Sequence, residues 1–534
     1  MLPFPQVTIP MPGATELPSG QSEEAQMPYT GRVRRLIVVT TTLALWIGFA
    51  VVASSSGQEA TESLLPTAER SSTSRHTMTL QGQELAYLAT AGNYLLRAED
   101  GTPQASVFHT SYVKEGVEDP STRPVTFSFN GGPGSAAVWV QFGAFGPKRV
   151  LMDEEGMPLP PPGRLVDNDD SILDLTDLVF IDPVGTGFSR VLPGGDGSDY
   201  HGLEEDIESV GEFIRLWMVR NGRLRSPMFI AGESYGTTRA AGLADFLSDR
   251  YGIFPNGIVF ISSILNWQNQ LFAPGNDIPH IIHLPTYAAT AWYHKKLPAE
   301  LSGDLESTLA EVESFALGDF ALALLQGDDL SPQRRREIAE RVARYTGLSV
   351  EFVEANNLRV GLSRFRKELL RSEGETVGRL DSRFTGRDRD SGGDSPEYDA
   401  SSVAVDIGYV ALLNDYLRQE LGYESDLVYE SSSPRVRPWN WGSGNRYVDV
   451  AEALRQAMVK NPSMKVLFTC GYYDFATPYF DTEFTVAHLA LPEELRENVR
   501  ITYYEAGHMM YIRRTDHDKL RQDIAAFMQA ALQQ

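Results

Sequence analysis

Cysteine is almost missing from this chain: Cys470 is the only one in 534 residues, so no intramolecular disulfide can staple the fold. It falls in the apolar run 465–470, which suits a buried strand thiol better than a reactive one. Cations are short as well. With 47 Lys and Arg against 71 Asp and Glu the net charge is −24. Phosphate binding needs concentrated positive charge, so this balance argues against a nucleic-acid binder and for a solvated acidic surface. Only nine histidines occur. His280 and His283 lie three apart, but no Cys, further His or carboxylate cluster completes a ligand set, so no metal site is evident. No P-loop is present, and Gly185-Thr186-Gly187 lacks the continuation that a dinucleotide requires. No cofactor is implied, and no internal repeat is seen.

What remains is an ordinary globular composition, 42% apolar and 22% charged, long enough to bury a large core. The N-terminus stands apart. Residues 1–35 are a polar tail rich in Pro and Gly that ends in Arg32, Arg34 and Arg35. Residues 36–53 then run 18 positions without a charge. That is the lower limit for crossing a bilayer and exceeds a usual signal h-region. Arginines before such a segment keep the tail cytoplasmic and send the rest of the chain outward. Cleavage after Ala53 would release a secreted or periplasmic product; without cleavage the chain is membrane-anchored. Either way the segment contacts a membrane at least during export. Residues 54–75, dense in Ser, Thr, Glu and Gln, read as a linker.

From residue 76 the pattern is globular. Strand-like stretches cover 84–96 and 105–113, and compact apolar runs come next at 125–129, 178–181, 228–231 and 258–261. Amphipathic helical patterns at 204–220 and 237–249 separate them. Apolar strands without alternation, spaced by helices, mean a mostly parallel sheet covered on both faces, an α/β architecture. Residues 267–450 are mostly helical in pattern, with a polar stretch at 373–400 and a helix predicted over 403–421. Strands return at 465–469 and 499–504, and a last helix covers 519–532. The organisation is a core in two parts, 76–266 and 451–534, interrupted by a helical cap insertion at 267–450.

The chemistry concentrates in Gly232-Glu233-Ser234-Tyr235-Gly236, directly after one strand and directly before a helix. A nucleophilic serine needs such a sharp turn, and flanking glycines let neighbouring backbone approach. The Tyr235 N–H then points where an oxyanion forms. With 46 glycines a bare match is not rare by chance, and its place between strand and helix gives it weight. A serine needs a base, and the base an acid to hold its tautomer. His508 comes after the strand at 499–504, and Asp474 after the strand at 465–469, in the order Ser, acid, His that an α/β-hydrolase fold requires. His488, within a helical pattern, and His517, after a charged stretch, suit solvated roles. Asp481, at a helix start, is the competing acid. Asn130-Gly131-Gly132-Pro133-Gly134 ends the strand at 125–129, and its exposed N–H groups can supply the second oxyanion donor.

Together with Ser135, Gly471-Tyr472-Tyr473-Asp474, Gly507-His508-Met509, Gly146-Pro147 and the segment 182–189, these motifs resemble the serine carboxypeptidase family over roughly residues 80–525. Leu421-Gly422-Tyr423 and Trp439–Trp441 resemble a bacterial branch of it. The resemblance implies release of C-terminal residues from peptides, favoured at acidic pH. It implies a triad of Ser234, Asp474 and His508 and an oxyanion hole of the Gly132 and Tyr235 N–H groups. Asn130, the Gly131 N–H and Glu233 would bind the substrate's terminal carboxylate. Two carboxylates share a hydrogen bond only if one is protonated, which ties such binding to low pH. Two departures touch that binding: Ser128 stands where the family has Trp, and Ala144 where it has Glu. Esterase or acyl-transfer chemistry on the same triad therefore stays open, as does a non-catalytic binding module on the same fold. The expected partner is a peptide with a free C-terminus, and homodimerisation is left open.

Overall fold

The computed structural model describes residues 65–533 apart from Ile407 and Ser443. The polar tail, the apolar segment 36–53 and residues 54–64 lie outside the described residues. Ten strands share the main sheet: β1 Ser71–Leu80, β2 Gln83–Arg97, β3 Pro103–Lys114, β4 Val125–Phe129, β5 Asp177–Ile181, β6 Arg190–Val191, β7 Met228–Ser234, β8 Gly257–Ser263, β9 Lys465–Gly471 and β10 Val499–Tyr504. They lie in the order β1-β2-β3-β5-β4-β7-β8-β9-β10, with β6 paired to β3. Every pairing from β5 to β10 is parallel. β1, β2, β3 and β6 join by antiparallel pairings, and β3 meets β5 antiparallel.

The apolar runs are uninterrupted because both faces of the parallel strands are covered. Phe127, Val179, Ile230 and Phe260 face one core together with helix α1 (Leu203–Arg220) and helix α2 (Tyr235–Tyr251). There Phe127 meets Trp217 edge-on with ring centroids 5.5 Å apart. Phe180, Phe229, Val259 and Leu467 face the other core, closed by the C-terminal helix Arg514–Leu532. Successive strand residues thus serve opposite layers, and neither set can be polar.

Two expectations need correction. Strand β1 begins at Ser71, inside the stretch read as a linker. Its Ser and Thr residues alternate between exposed and half-buried positions and pair with β2, where the Thr73 and Thr90 hydroxyls meet at 2.9 Å. Hydroxyl-rich sequence serves an outer strand as well as it serves a linker. The helix expected over 403–421 is two helices, Ala400–Asp406 and Tyr409–Gln419, separated at Gly408, whose φ of 92° an α-helix cannot contain.

Between β8 and β9 run helix α3 (Ile278–Tyr293) and further helices at Leu305–Phe315, Pro332–Thr346 and Leu362–Glu368. The polar stretch behind them is ordered by a short hairpin, Thr376–Val377 with Thr385–Gly386. Among the described residues no helix is long and apolar enough to cross a membrane.

At the start of β5, Asp177 takes 2.7 Å and 2.5 Å hydrogen bonds from the Arg123 and Arg223 guanidinium groups, all three side chains being buried. Removing the carboxylate would strand two cations in the interior. Asp177→Ala should therefore cost about 3–5 kcal/mol of stability. Urea unfolding measures this, and an unchanged midpoint would contradict the account.

Candidate active site

Strand β7 carries Gly232, Glu233 and Ser234 to its C-terminal end, and α2 begins at the next residue. Ser234 sits at φ 60°, ψ −130°, a conformation that a side chain rarely adopts and that the surroundings must enforce. They do so by proximity. A Cβ on Gly232 would stand 2.3 Å from the Gly236 carbonyl oxygen, and one on Gly131 would stand 2.4 Å from the Tyr235 nitrogen. Only glycine permits the two turns to interlock this closely. No side chain caps α2, so its first N–H groups and the positive end of its dipole are left for a ligand. Gly132, at φ 100°, turns the neighbouring loop beside them.

The structure brings Asp474 and His508 together. Asp474 is fully buried and accepts hydrogen bonds from His508 Nδ1 at 2.7 Å, Thr477 Oγ1 at 2.6 Å and the Ala476 and Thr477 N–H groups. Burial alone would lower the affinity of the imidazole for a proton, but the charge and hydrogen bond of Asp474 outweigh it and raise the His508 pKa above its ordinary value. The His508 backbone is pinned at both ends: its N–H donates to the Leu380 carbonyl at 2.6 Å, and its carbonyl accepts from Ser262 Oγ at 2.6 Å. Residues 379–383 also receive Phe475 N–H through the Arg379 carbonyl, and Asp381 accepts from the Gly507 N–H at 2.9 Å. Residues 379–383 thus fasten the loops that carry Asp474 and His508. Sequence reading missed this strap because it works through backbone groups, which leave no residue signature.

Beside the nucleophile, Glu233 is buried and held on both oxygens. Asn130 Nδ2 donates to Oε1 at 2.8 Å, and Tyr511 Oη donates to Oε2 at 2.6 Å. The Asn130 amide is itself oriented by the Val140 N–H, which donates to its Oδ1 at 3.1 Å. Burial pushes the Glu233 carboxyl up to about 6, against the opposing pull of His508, Tyr511 and Asn130. Under the turn, Arg239 donates to the Asn130 carbonyl at 2.8 Å and to Asp206 at 2.7 Å, while Tyr235 Oη donates to the same Asp206 oxygen at 3.1 Å. This buried pair ties the Asn130 loop to α2.

The remaining candidates lie elsewhere. Asp481, the competing acid, is buried away from the histidine and bonded to Asn269 and Gln270. His488 is exposed. His517 is not a solvated residue: it is 3% exposed, and its Nε2 lies 2.8 Å from the Ala144 carbonyl. Helix Arg514–Leu532 turns that position inward, which the flanking charges conceal. His283 is buried with Nδ1 on the Pro279 carbonyl, and burial lowers its pKa to about 4. Cys470 is buried, and its thiol is pushed up to about 12. Ser128 and Ala144 are both buried, and Ser128 Oγ has no partner. Among the described residues neither Ser234 Oγ nor His508 Nε2 has a hydrogen-bond partner. A half-buried serine at a strand-to-helix turn, a histidine held by a buried carboxylate and unused N–H groups nearby can carry out acyl transfer.

A family model described as serine carboxypeptidase matches residues 94–513. Serine carboxypeptidase-like 33 of Arabidopsis thaliana is 34% identical over 145 residues, covering 26% of this chain and 28% of that protein. Serine carboxypeptidase-like 44 of the same plant is 27% identical over 227 residues, covering 42% of this chain and 43% of that protein. These matches span less than half of either relative. Among solved structures, the crystal structure of Kex1(delta)p, a prohormone-processing carboxypeptidase from Saccharomyces cerevisiae, aligns with a TM-score of 0.52 at 16% identity. It covers 83% of this chain and 91% of that one, a likeness of fold. These relatives come from a plant and a yeast, so the bacterial branch rests on residues 421–423 and Trp439–Trp441 alone.

Gly131→Ala should force the Asn130 loop away from α2, since its Cβ would meet backbone rather than a yielding side chain. Losing one oxyanion donor costs about 10²–10³ in kcat. Turnover of an activated ester, normalised to Ser234 labelling, should fall by that amount, and the melting temperature should fall as well because the clash is with buried backbone. Undiminished turnover would mean that this loop takes no part.

Proposed function

The chain belongs to the serine carboxypeptidase family, and from that premise we propose that it releases C-terminal residues from peptides through an acyl-enzyme on Ser234. In this mechanism Ser234 Oγ attacks the last peptide carbonyl and gives its proton to His508 Nε2. Asp474 keeps the other ring nitrogen protonated and steadies the imidazolium. The Gly132 and Tyr235 N–H groups receive the oxyanion. His508 then protonates the departing amine, and water, activated by the same histidine, hydrolyses the ester.

The observation that carries the carboxypeptidase reading over an esterase is Glu233. A buried carboxyl raised to about 6 and fixed by Asn130, one residue before the nucleophile, can offer a proton to another carboxylate. An esterase has no use for such a group. Glu233 and His508 also share their protonation. An ionised Glu233 raises the His508 pKa, so the active arrangement, acid on Glu233 and neutral imidazole, holds the same proton count as its inactive tautomer. The two limbs of the pH profile belong to the pair. Activity on a free C-terminus falls at high pH as the pair loses its proton, and at low pH as it gains a second.

We assign residue preference to the cap insertion, residues 267–450, where loops and helices vary at little cost to the sheet. Residues 36–53 support export of the catalytic part, anchored if the segment stays and secreted or periplasmic if it is cleaved. The peptide substrate is the partner this reading requires.

A blocked dipeptide acid should be cleaved between about pH 4 and 7, its C-terminal amide should be spared, and Ser234→Ala should abolish both. If only a simple ester is cut, the triad acts without carboxylate recognition and the esterase alternative holds. Glu233→Gln carries no titrating proton. It should lose the alkaline limb and leave one acid limb, set by His508 beside a neutral neighbour and lying at or above the wild-type acid limb, read from kcat/KM against pH. An unaltered alkaline limb would sink the assignment of Glu233.

A further inference from the structure

The two family residues missing from this chain, Trp at Ser128 and Glu at Ala144, leave a question of mechanics. Glu233 must still be held in one orientation. Ser128 Oγ makes no hydrogen bond, and Ala144 offers only its carbonyl, already taken by Asn168 and His517. The second oxygen of Glu233 is instead gripped by Tyr511, three residues beyond His508.

We infer that Tyr511 is the positioning residue of the terminal-carboxylate site, orienting Glu233 in place of the absent Trp and Glu. This inference rests on the carboxypeptidase reading above. The contact is built rather than incidental. Tyr511 is 2% exposed, and its ring lies so close to Gly143 that a Cβ there would approach its Cε2 to 2.3 Å and the Tyr409 hydroxyl to 3.2 Å. Gly143 belongs to the turn Val140–Phe145, which also carries Ala144 and packs on Met510–Ile512. The absence of a Gly143 side chain thus leaves this turn open to the phenol.

The geometry also says what the phenol does. Asn130 occupies one side of Oε1 and Tyr511 one side of Oε2. The acid proton of Glu233 is then confined to the two lone pairs these donors leave unused, one on each oxygen, from which a substrate carboxylate would accept it. Neither donor can be swapped by rotation, because Asn130 is fixed by Val140 and Tyr511 by Gly143. The charged and titratable groups facing Glu233 are His508, Asp474 and Tyr511, with Asn130 as a neutral donor. Tyr409 faces Glu233 and Tyr511 from the helix Tyr409–Gln419, with Arg149 and Asp406 beyond it, and Arg379 acts on His508. Of these only Tyr511 and Asn130 donate directly to Glu233.

The test is Tyr511→Phe in the full chain, with active sites counted by a fluorophosphonate that labels Ser234. Phenylalanine fills the same space, so labelling should equal that of the wild type. For a blocked dipeptide acid kcat/KM should fall about tenfold through KM, while for the matching simple ester it stays within about twofold. Because the lost donor favoured ionised Glu233, the alkaline limb on the acid substrate should also move up by about one pH unit. Equal losses on acid and ester, or a limb that does not move, would overturn the role of Tyr511 and leave a merely structural tyrosine. A wild type that treats acid and amide alike would instead sink the carboxypeptidase reading, and Tyr511 with it. Should Tyr511→Phe fail to label, Tyr511→3-fluorotyrosine, which keeps the shape and strengthens the donor, decides: an alkaline limb moved down on the acid substrate supports the inference, and an unmoved limb overturns it.

Discussion

The left-handed backbone of Ser234 is the constraint on which the rest of the site hangs. A residue with a side chain resists φ of 60°, at a cost of order 1–3 kcal/mol, and keeps it only where its neighbours allow no other path. Here the neighbours are backbone. Gly232 lies under the Gly236 carbonyl, Gly131 lies against the Tyr235 nitrogen, and Arg239 locks the Asn130 carbonyl to α2. The same contacts fix the Ser234 turn against the Asn130 loop, so the two turns are one mechanical unit.

The second theme is the handling of buried charge. Asp474, Glu233, Asp206 and Asp381 are all buried, and each is met by donors on the atoms that need them. Asp474 and Asp206 have partners that can be cationic. Glu233 has only neutral direct donors, Asn130 and Tyr511, and desolvation raises its carboxyl to about 6.

Much of this was legible in one dimension. Strands β4 and β10 begin and end where the apolar runs do, and the other parallel strands differ by a few residues at most, because a two-sided core demands continuous apolarity. Ser234, Asp474 and His508 stood out because a strand-to-helix serine, and an acid and a histidine on late strand loops, are local patterns in a required order. Strand β1 was hidden because pairing with β2, rather than its own composition, makes it a strand. His517 was hidden because its burial depends on which side of the last helix faces Ala144.

The sequence by itself determined the parallel core, the place of Ser234 at a strand-to-helix turn and the order of Ser234, Asp474 and His508 on the loops. Each of these depends on periodicity or on spacing along the chain, and both survive in a string of letters. Only the tertiary structure decided that the cap strap at residues 379–383 holds the loops of Asp474 and His508, and that Tyr511 grips Glu233 across 278 positions. Those contacts join distant segments through backbone groups or a single hydroxyl. Their energy depends on distance and direction in space, which no local pattern records.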